Sequence, residues 1–223
     1  MKTIISPSLL SCDFLDIRKE MDAFNGMSNL WFHLDIMDSH FVPNLTFGHP
    51  VVKKMAEIAQ YPLDAHFMVN NPEFFIATFT DLNIHNVTFH FEATQNDNTE
   101  AIRMIKKAAS SYSSVGISIR PSTSLNLISE ELLKEIDLFL VMSVEPGFGG
   151  QKFIESAYDR VSELNHLRKR LKARFQIQVD GGINEKTAIE LLKLGANNLV
   201  AGSYIFKASP HDYPAMVESL RKA

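Results

Sequence analysis

The sequence predicts an α/β fold, a single (β/α)8 TIM barrel, on three observations. Short apolar runs alternate with amphipathic stretches, the stretches carry helical periodicity, and 223 residues suit one such barrel. The runs are rich in Val, Ile and Phe and fall at residues 3–8, 31–36, 62–68, 86–91, 114–119, 136–142, 175–180 and 197–202. Their spacing leaves room for a helix after most strands. A doubly wound open sheet accommodates the same alternation, but eight is the number of strands that closes a barrel. No low-complexity tract or long Pro/Gly/Ser linker divides the chain, so one catalytic domain over residues 1–223 is expected.

The helical stretches follow from side-chain spacing. Ile102, Ile105, Ala109 and Tyr112 are predicted to share one face, as are Val161, Leu164, Leu167 and Leu171, and again Tyr213, Met216, Val217 and Leu220. Asn184 is an N-cap candidate for a helix that Gly195 ends. The stretch HFVPNLTFGHP at residues 40–50 reads instead as a long loop, and long loops in compact barrels are often functional.

The bulk chemistry excludes several classes. Lys plus Arg is 22 and Asp plus Glu is 26, a formal charge of −4, which gives no reason to expect nucleic acid or an anionic membrane as partner. Cys12 is the only cysteine, so no internal disulfide forms and a reducing compartment is expected. The N-terminal residues lack a secretory pattern, and no stretch reaches the ~18 apolar residues of a membrane span. A soluble, cytoplasmic protein is expected, with a homo-oligomer as the accompanying assembly.

In such a barrel the active site lies at the C-terminal ends of the strands. His33, Asp35 and Met37 alternate onto one face of the second run, His66 and Met68 end the third in phase with Asp64, and Gln178 and Asp180 end the seventh. A lone strand histidine is usually a hydrogen-bonded core residue. Inward carboxylates are costly without a partner, so two of them beside two in-phase histidines point to a site. Mixed nitrogen and oxygen ligation suits one divalent metal ion, Zn²⁺ first, with Fe²⁺, Mn²⁺ or Co²⁺ as alternatives. From spacing alone Met37, Met68 and Met142 read as ordinary core. His90 and Glu92 end the fourth run in phase, with a supporting role as reasonable as a direct one. His40, His49, His85, His166 and His211 read as loop or surface residues, and the basic cluster at 166–172 as a solvated helix face.

Glycine forms a second constellation. Glu145-Pro-Gly147-Phe-Gly149-Gly150, Asp180-Gly181-Gly182 and Ala201-Gly202-Ser203 follow three consecutive strands. Any one pair would read as a turn. Three on neighbouring strand ends point to a phosphate held by backbone N–H groups. There is no P-loop and no G-x-G-x-x-G, so a nucleotide is not indicated.

Several of these segments together resemble one family. Ser6-Pro-Ser-Leu-Leu-Ser, Phe32-His-Leu-Asp-Ile-Met-Asp38, His40-Phe-Val-Pro-Asn, Leu63-Asp-Ala-His-Phe-Met-Val69, Met142-Ser-Val-Glu-Pro-Gly-Phe-Gly-Gly-Gln151 and Val179-Asp-Gly-Gly resemble the ribulose-phosphate 3-epimerase family, in the right order from about Ile5 to Phe206. The resemblance implies His33, Asp35, His66 and Asp180 as metal ligands, with Asp35 and Asp180 also the catalytic acid/base pair. It implies substrate contacts from Ser8, His66, Met37, Met68 and Met142. It also implies a phosphate cradle around Gly147, Phe148, Gly149, Gly150, Gly181, Gly182, Gly202 and Ser203. Ser39 departs from the family, which usually has Gly there.

Inverting a carbon beside a ketone needs a proton removed from one face and another returned to the opposite face, hence two carboxylates, with a metal stabilising the enediolate. The expected reaction interconverts D-ribulose 5-phosphate and D-xylulose 5-phosphate. A related subfamily acts on allulose 6-phosphate, and the intact glycine loops lean toward the pentose. Sugar-phosphate decarboxylases carry Asp-x-Lys-x-x-Asp at a strand end, whereas this chain has Asp35-Ile-Met-Asp38 and no Lys. A Schiff-base aldolase would also need a strand-end Lys. A non-enzymatic phosphate-binding barrel is disfavoured by the presence of both Asp35 and Asp180.

Overall fold

The structure, a computed structural model, describes residues 2–222. Eight parallel strands run β1 (Ile4–Pro7), β2 (Phe32–Met37), β3 (Leu63–Met68), β4 (Asn86–His90), β5 (Ser114–Ile119), β6 (Leu138–Met142), β7 (Gln176–Asp180) and β8 (Asn198–Ala201). They pair consecutively from β2 to β8, and β8 pairs with β1. The β1–β2 seam closes through isolated parallel bridges, Ile5 with Leu30 and Ser8 with His33. The chain is therefore a (β/α)8 barrel, and each expected strand is present with its ends shifted by at most two residues.

The helices are α1 (Ile17–Asp22), α2 (His49–Ile58), α3 (Pro72–Thr78), α4 (Asn98–Ala108), α5 (Glu130–Glu135), α6 (Ser156–Leu171), α7 (Glu185–Leu194), α8 (Ser203–Phe206) and α9 (Tyr213–Arg221). Alternation along the strands separates two interiors. Leu34, Ile36, Phe67, Val87, Phe89, Ile117, Phe139, Ile177 and Leu199 join the apolar layer beneath the helices. Their strand neighbours fill the barrel, where Asp64, His66, Asn86, Thr88, His90, Ser118, Gln178 and Asn198 are all fully buried. Buried polar groups are tolerable only when paired. Here Ser6 Oγ donates to Asn198 (2.7 Å), Ser114 Oγ to Asn86 (2.6 Å), and the Asn86 and Gln178 amides to Asp64 (2.6 Å each).

One helix face is shifted from expectation. On α4 the buried residues are Ala101, Met104, Ile105 and Ala108; Ala109 is exposed and Ile102 only half-buried. The stripe begins one residue earlier because small alanines, not the larger Ile102, take the positions against the sheet. The loop expected at 40–50 occupies 38–48, since His49 and Pro50 already form the first turn of α2, where proline is well placed. Asn184 caps α7 with a full capping box, and Gly195 ends it at φ +115°.

Candidate active site

Strands β2, β3 and β7 deliver the polar residues of the C-terminal face. His33, Asp35, His66 and Asp180 bring one ligand atom each within 4.8 Å of one another. His33 Nε2 and His66 Nδ1 both face Asp35 Oδ1, at 3.4 and 3.3 Å. The parallel register sets His66 opposite Asp35, so the in-phase pattern in sequence becomes proximity in space. Ser8, at the end of β1, donates its hydroxyl to the other Asp35 oxygen at 2.8 Å.

Both histidines are braced from behind. His33 Nδ1 lies 2.8 Å from Asp64 Oδ2, and Asp64 is held in turn by Asn86 and Gln178. His66 Nε2 lies 3.0 Å from His90 Nε2, and His90 Nδ1 lies 3.3 Å from Glu92. Asp64 and Gln178 stood in phase with the site in the sequence; their bracing role needed the neighbouring strands to be seen.

Three carboxylates share this small volume, and their fields divide the protons unequally. Burial, then the charge of Asp35, pushes the Asp180 carboxyl up to about 7. Burial also opposes charge on Asp35, but His33 and the contacts from both histidines outweigh it and hold Asp35 well below the usual carboxylate range. Burial opposes charge on His33 too, yet Asp35 and Asp64 override it and raise its pKa. The centre of the cluster thus favours positive charge. His33 Nε2 is buried with no hydrogen-bond partner, and with two carboxylates and His66 around it the donor set fits a divalent cation.

Above the cluster opens a narrow cleft. Asp35 and Asp180 reach it, whereas His33 and His66 lie fully buried behind. Ser8, Met37, Met68 and Met142 line it, as do Gly147, Phe148, Gly149, Gly150, Gly181, Gly182, Gly202 and Ser203. The three methionines are at most 3% exposed, so the reading as core and the reading as pocket lining describe the same side chains. Leu10, Ser11, Val144, Glu145, Gln151 and Ile183 also line the cleft; no role was expected of them from the sequence, although all but Ile183 sit inside quoted motifs. No Lys or Arg is among the lining residues described. Gly181 and Gly182 are required by geometry: both have positive φ (+119° and +62°), and a Cβ would meet Val144 at 2.5 Å or the Phe153 backbone at 2.7 Å.

The long loop after β2 is tied to this cleft. Asp38 accepts from the backbone N–H groups of His40, Phe41 and Asn70, and Asn44 donates its amide to the Gly147 carbonyl at 2.8 Å. Asp38 was missed as an anchor because its partners include a residue 32 positions away.

A parallel barrel with a buried His/Asp cluster beneath a glycine-walled cleft defines a barrel enzyme that works at the C-terminal ends of its strands. The chain belongs to the ribulose-phosphate 3 epimerase family, whose sequence model matches residues 4–206. It is an isomerase. It is 37% identical to the ribulose-phosphate 3-epimerase of Mycobacterium bovis, covering 98% of this chain and 92% of that one. To the Helicobacter pylori J99 enzyme of the same name it is 37% identical over 97% and 96% of the two chains. To the cytoplasmic isoform of Oryza sativa it is 38% identical over 98% and 93%. Among solved structures, KGPDC from Streptococcus mutans superposes with a TM-score of 0.69 at 13% identity, over 100% of this chain and 99% of the other. A 3-hexulose-6-phosphate synthase gives 0.64 at 16%, over 100% and 99%. At such identities these two share the fold alone. Among the described residues, no helix is long and apolar enough to cross a membrane.

Proposed function

We propose that the chain inverts C3 of D-ribulose 5-phosphate to give D-xylulose 5-phosphate, with Asp35 and Asp180 as the acid/base pair. The observation that carries this is the convergence of the two carboxylates at the cleft floor, one biased toward the ionised form and the other toward the protonated form. Epimerisation needs that inequality: one group must be ready to take a proton while the other is ready to give one. Ser8 keeps Asp35 aimed by donating to the oxygen not shared with the histidines. The methionines exclude water from the reacting carbon.

His33, Asp35, His66 and Asp180 would hold one divalent ion, with zinc the first choice and iron, manganese or cobalt as alternatives. When bound, such an ion supplies a Lewis acid for negative charge developing on the ketone oxygen. The phosphate is assigned to backbone N–H groups of the loops after β6, β7 and β8. The positive φ of Gly181 and Gly182, the start of α8 at Ser203, and the lack of a lining cation support this. A cytoplasmic location is in keeping with the name of the rice relative.

The test is turnover on ribulose 5-phosphate and allulose 6-phosphate side by side. The pentose is expected to be preferred, and a chelator to abolish activity that zinc restores. Asp35→Asn and Asp180→Asn should each lose roughly 10²–10⁴-fold in turnover. Metal content measured on each variant separates lost proton transfer from lost metal. A metal-loaded variant of either kind that epimerises at the normal rate would sink the two-carboxylate assignment.

A further inference from the structure

His90 and Glu92 are left over by the proposed chemistry, yet they form a one-way hydrogen-bond chain ending at His66. Glu92 Oε1 accepts from the Arg120 backbone N–H at 2.7 Å and from the Thr123 hydroxyl. Its other oxygen faces His90 Nδ1 at 3.3 Å, and His90 Nε2 faces His66 Nε2 at 3.0 Å. Both imidazoles are fully buried, which favours their neutral forms.

Counting protons along this chain fixes its direction. A carboxylate only accepts, so His90 must carry its proton on Nδ1. A neutral His90 then offers a lone pair at Nε2, and His66 must donate its Nε2–H to it. The remaining lone pair of His66 is on Nδ1, the atom turned toward Asp35. We infer that His90 and Glu92 are positioning residues that lock His66 in the tautomer able to ligate through Nδ1, with Arg120 and Thr123 holding Glu92 in place. This rests on the metal reading above. It mirrors the brace on His33, where Asp64 accepts from Nδ1 and leaves Nε2 free, but it works across one more ring.

Glu92→Gln tests the direction with almost no change of shape. The Arg120 backbone N–H can only donate, so the Gln oxygen must stay on that side. Its amide NH₂ then faces His90 Nδ1 and reverses the chain. Zinc affinity is measured by competition with a chelator, and the melting temperature of the metal-free protein is followed in parallel. Glu92→Gln should weaken zinc binding about 10–100-fold, the usual range for such supporting partners, with the metal-free melting temperature little changed. Thr123→Val loosens the same carboxylate without reversing it and should bind zinc nearly as well as wild type. Nitrogen-15 NMR of the zinc-loaded wild type should show His90 protonated on Nδ1 only.

Wild-type affinity in Glu92→Gln, an equal loss in Thr123→Val, or a His90 that is cationic or protonated on Nε2 would each overturn the inference. A wild-type protein that binds no zinc would overturn the metal reading itself, a result distinct from any of these.

Discussion

Ser39 is where a single residue carries the most information. It sits at φ +63°, exposed, with its N–H bonded to the Asn44 carbonyl at 3.0 Å. That is the left-handed region, which explains why the resembling family usually has glycine there. The departure noticed in the sequence is thus one of backbone strain at the root of the loop over the cleft. Relief of a strain of about 1–2 kcal/mol against a glycine entropy cost of about 0.5–1 kcal/mol leaves a small gain for Ser39→Gly. Its melting temperature should rise by roughly 1–2 °C, and Ser39→Val, with a branched Cβ at the same φ, should melt lower than wild type. Scanning calorimetry of the three proteins checks the order; a Val variant as stable as the Gly variant would contradict the strain.

At the scale of elements, α7 shows a local signal that the fold also uses. Asn184 accepts from the N–H groups of Lys186 and Thr187 at 3.0 and 3.3 Å, and Thr187 Oγ1 accepts from the Asn184 N–H. The Asn184 amide also donates to the Gly182 carbonyl at 3.2 Å, so the cap holds the glycine turn as well as the helix. Asn184→Ala should therefore cost about 0.5–2 kcal/mol in urea unfolding, and it should weaken binding of a substrate phosphate where an ordinary cap deletion would not. The cap was legible because its signal is contained in four consecutive residues. The face of α4 was misread by one position because the periodicity of large side chains alone does not reveal which side of a helix lies close enough to the sheet to demand alanine.

At the scale of the whole molecule, the barrel has one weak seam, between β1 and β2, and the C-terminal helix covers it. Tyr213 stacks on Phe24 with ring centroids 5.3 Å apart and donates its hydroxyl to buried Glu20 of α1 at 2.7 Å. Arg221 donates to the carbonyls of Ser28 and Asn29, just before β2. Tyr213→Phe keeps the packing and strands the Glu20 carboxylate. The expected loss is about 1–3 kcal/mol in unfolding free energy, since a buried acceptor left unmade carries its full desolvation cost. Urea denaturation of the variant measures it, and an unchanged midpoint would mean that the seam is closed without this contact.

The sequence by itself determined the strands, their number, the face each presents, the order of the glycine loops and the caps of α7. These are set by alternation, periodicity and short-range hydrogen bonds, all encoded within a few residues. It also placed His33, Asp35, His66 and Asp180 in phase, because a strand's two-residue repeat sorts its side chains without help from other strands. What only the tertiary structure decided is which in-phase groups meet. Asp64 to Gln178 spans 114 residues, Asn44 to Gly147 spans 103, and Glu20 to Tyr213 spans 193. The register between parallel strands sets the polar contacts inside the barrel, and the connections around it set the others. The direction of the His66–His90–Glu92 chain belongs to this second group too. It depends on a backbone N–H from a neighbouring loop, Arg120, whose placement no local pattern in the sequence encodes.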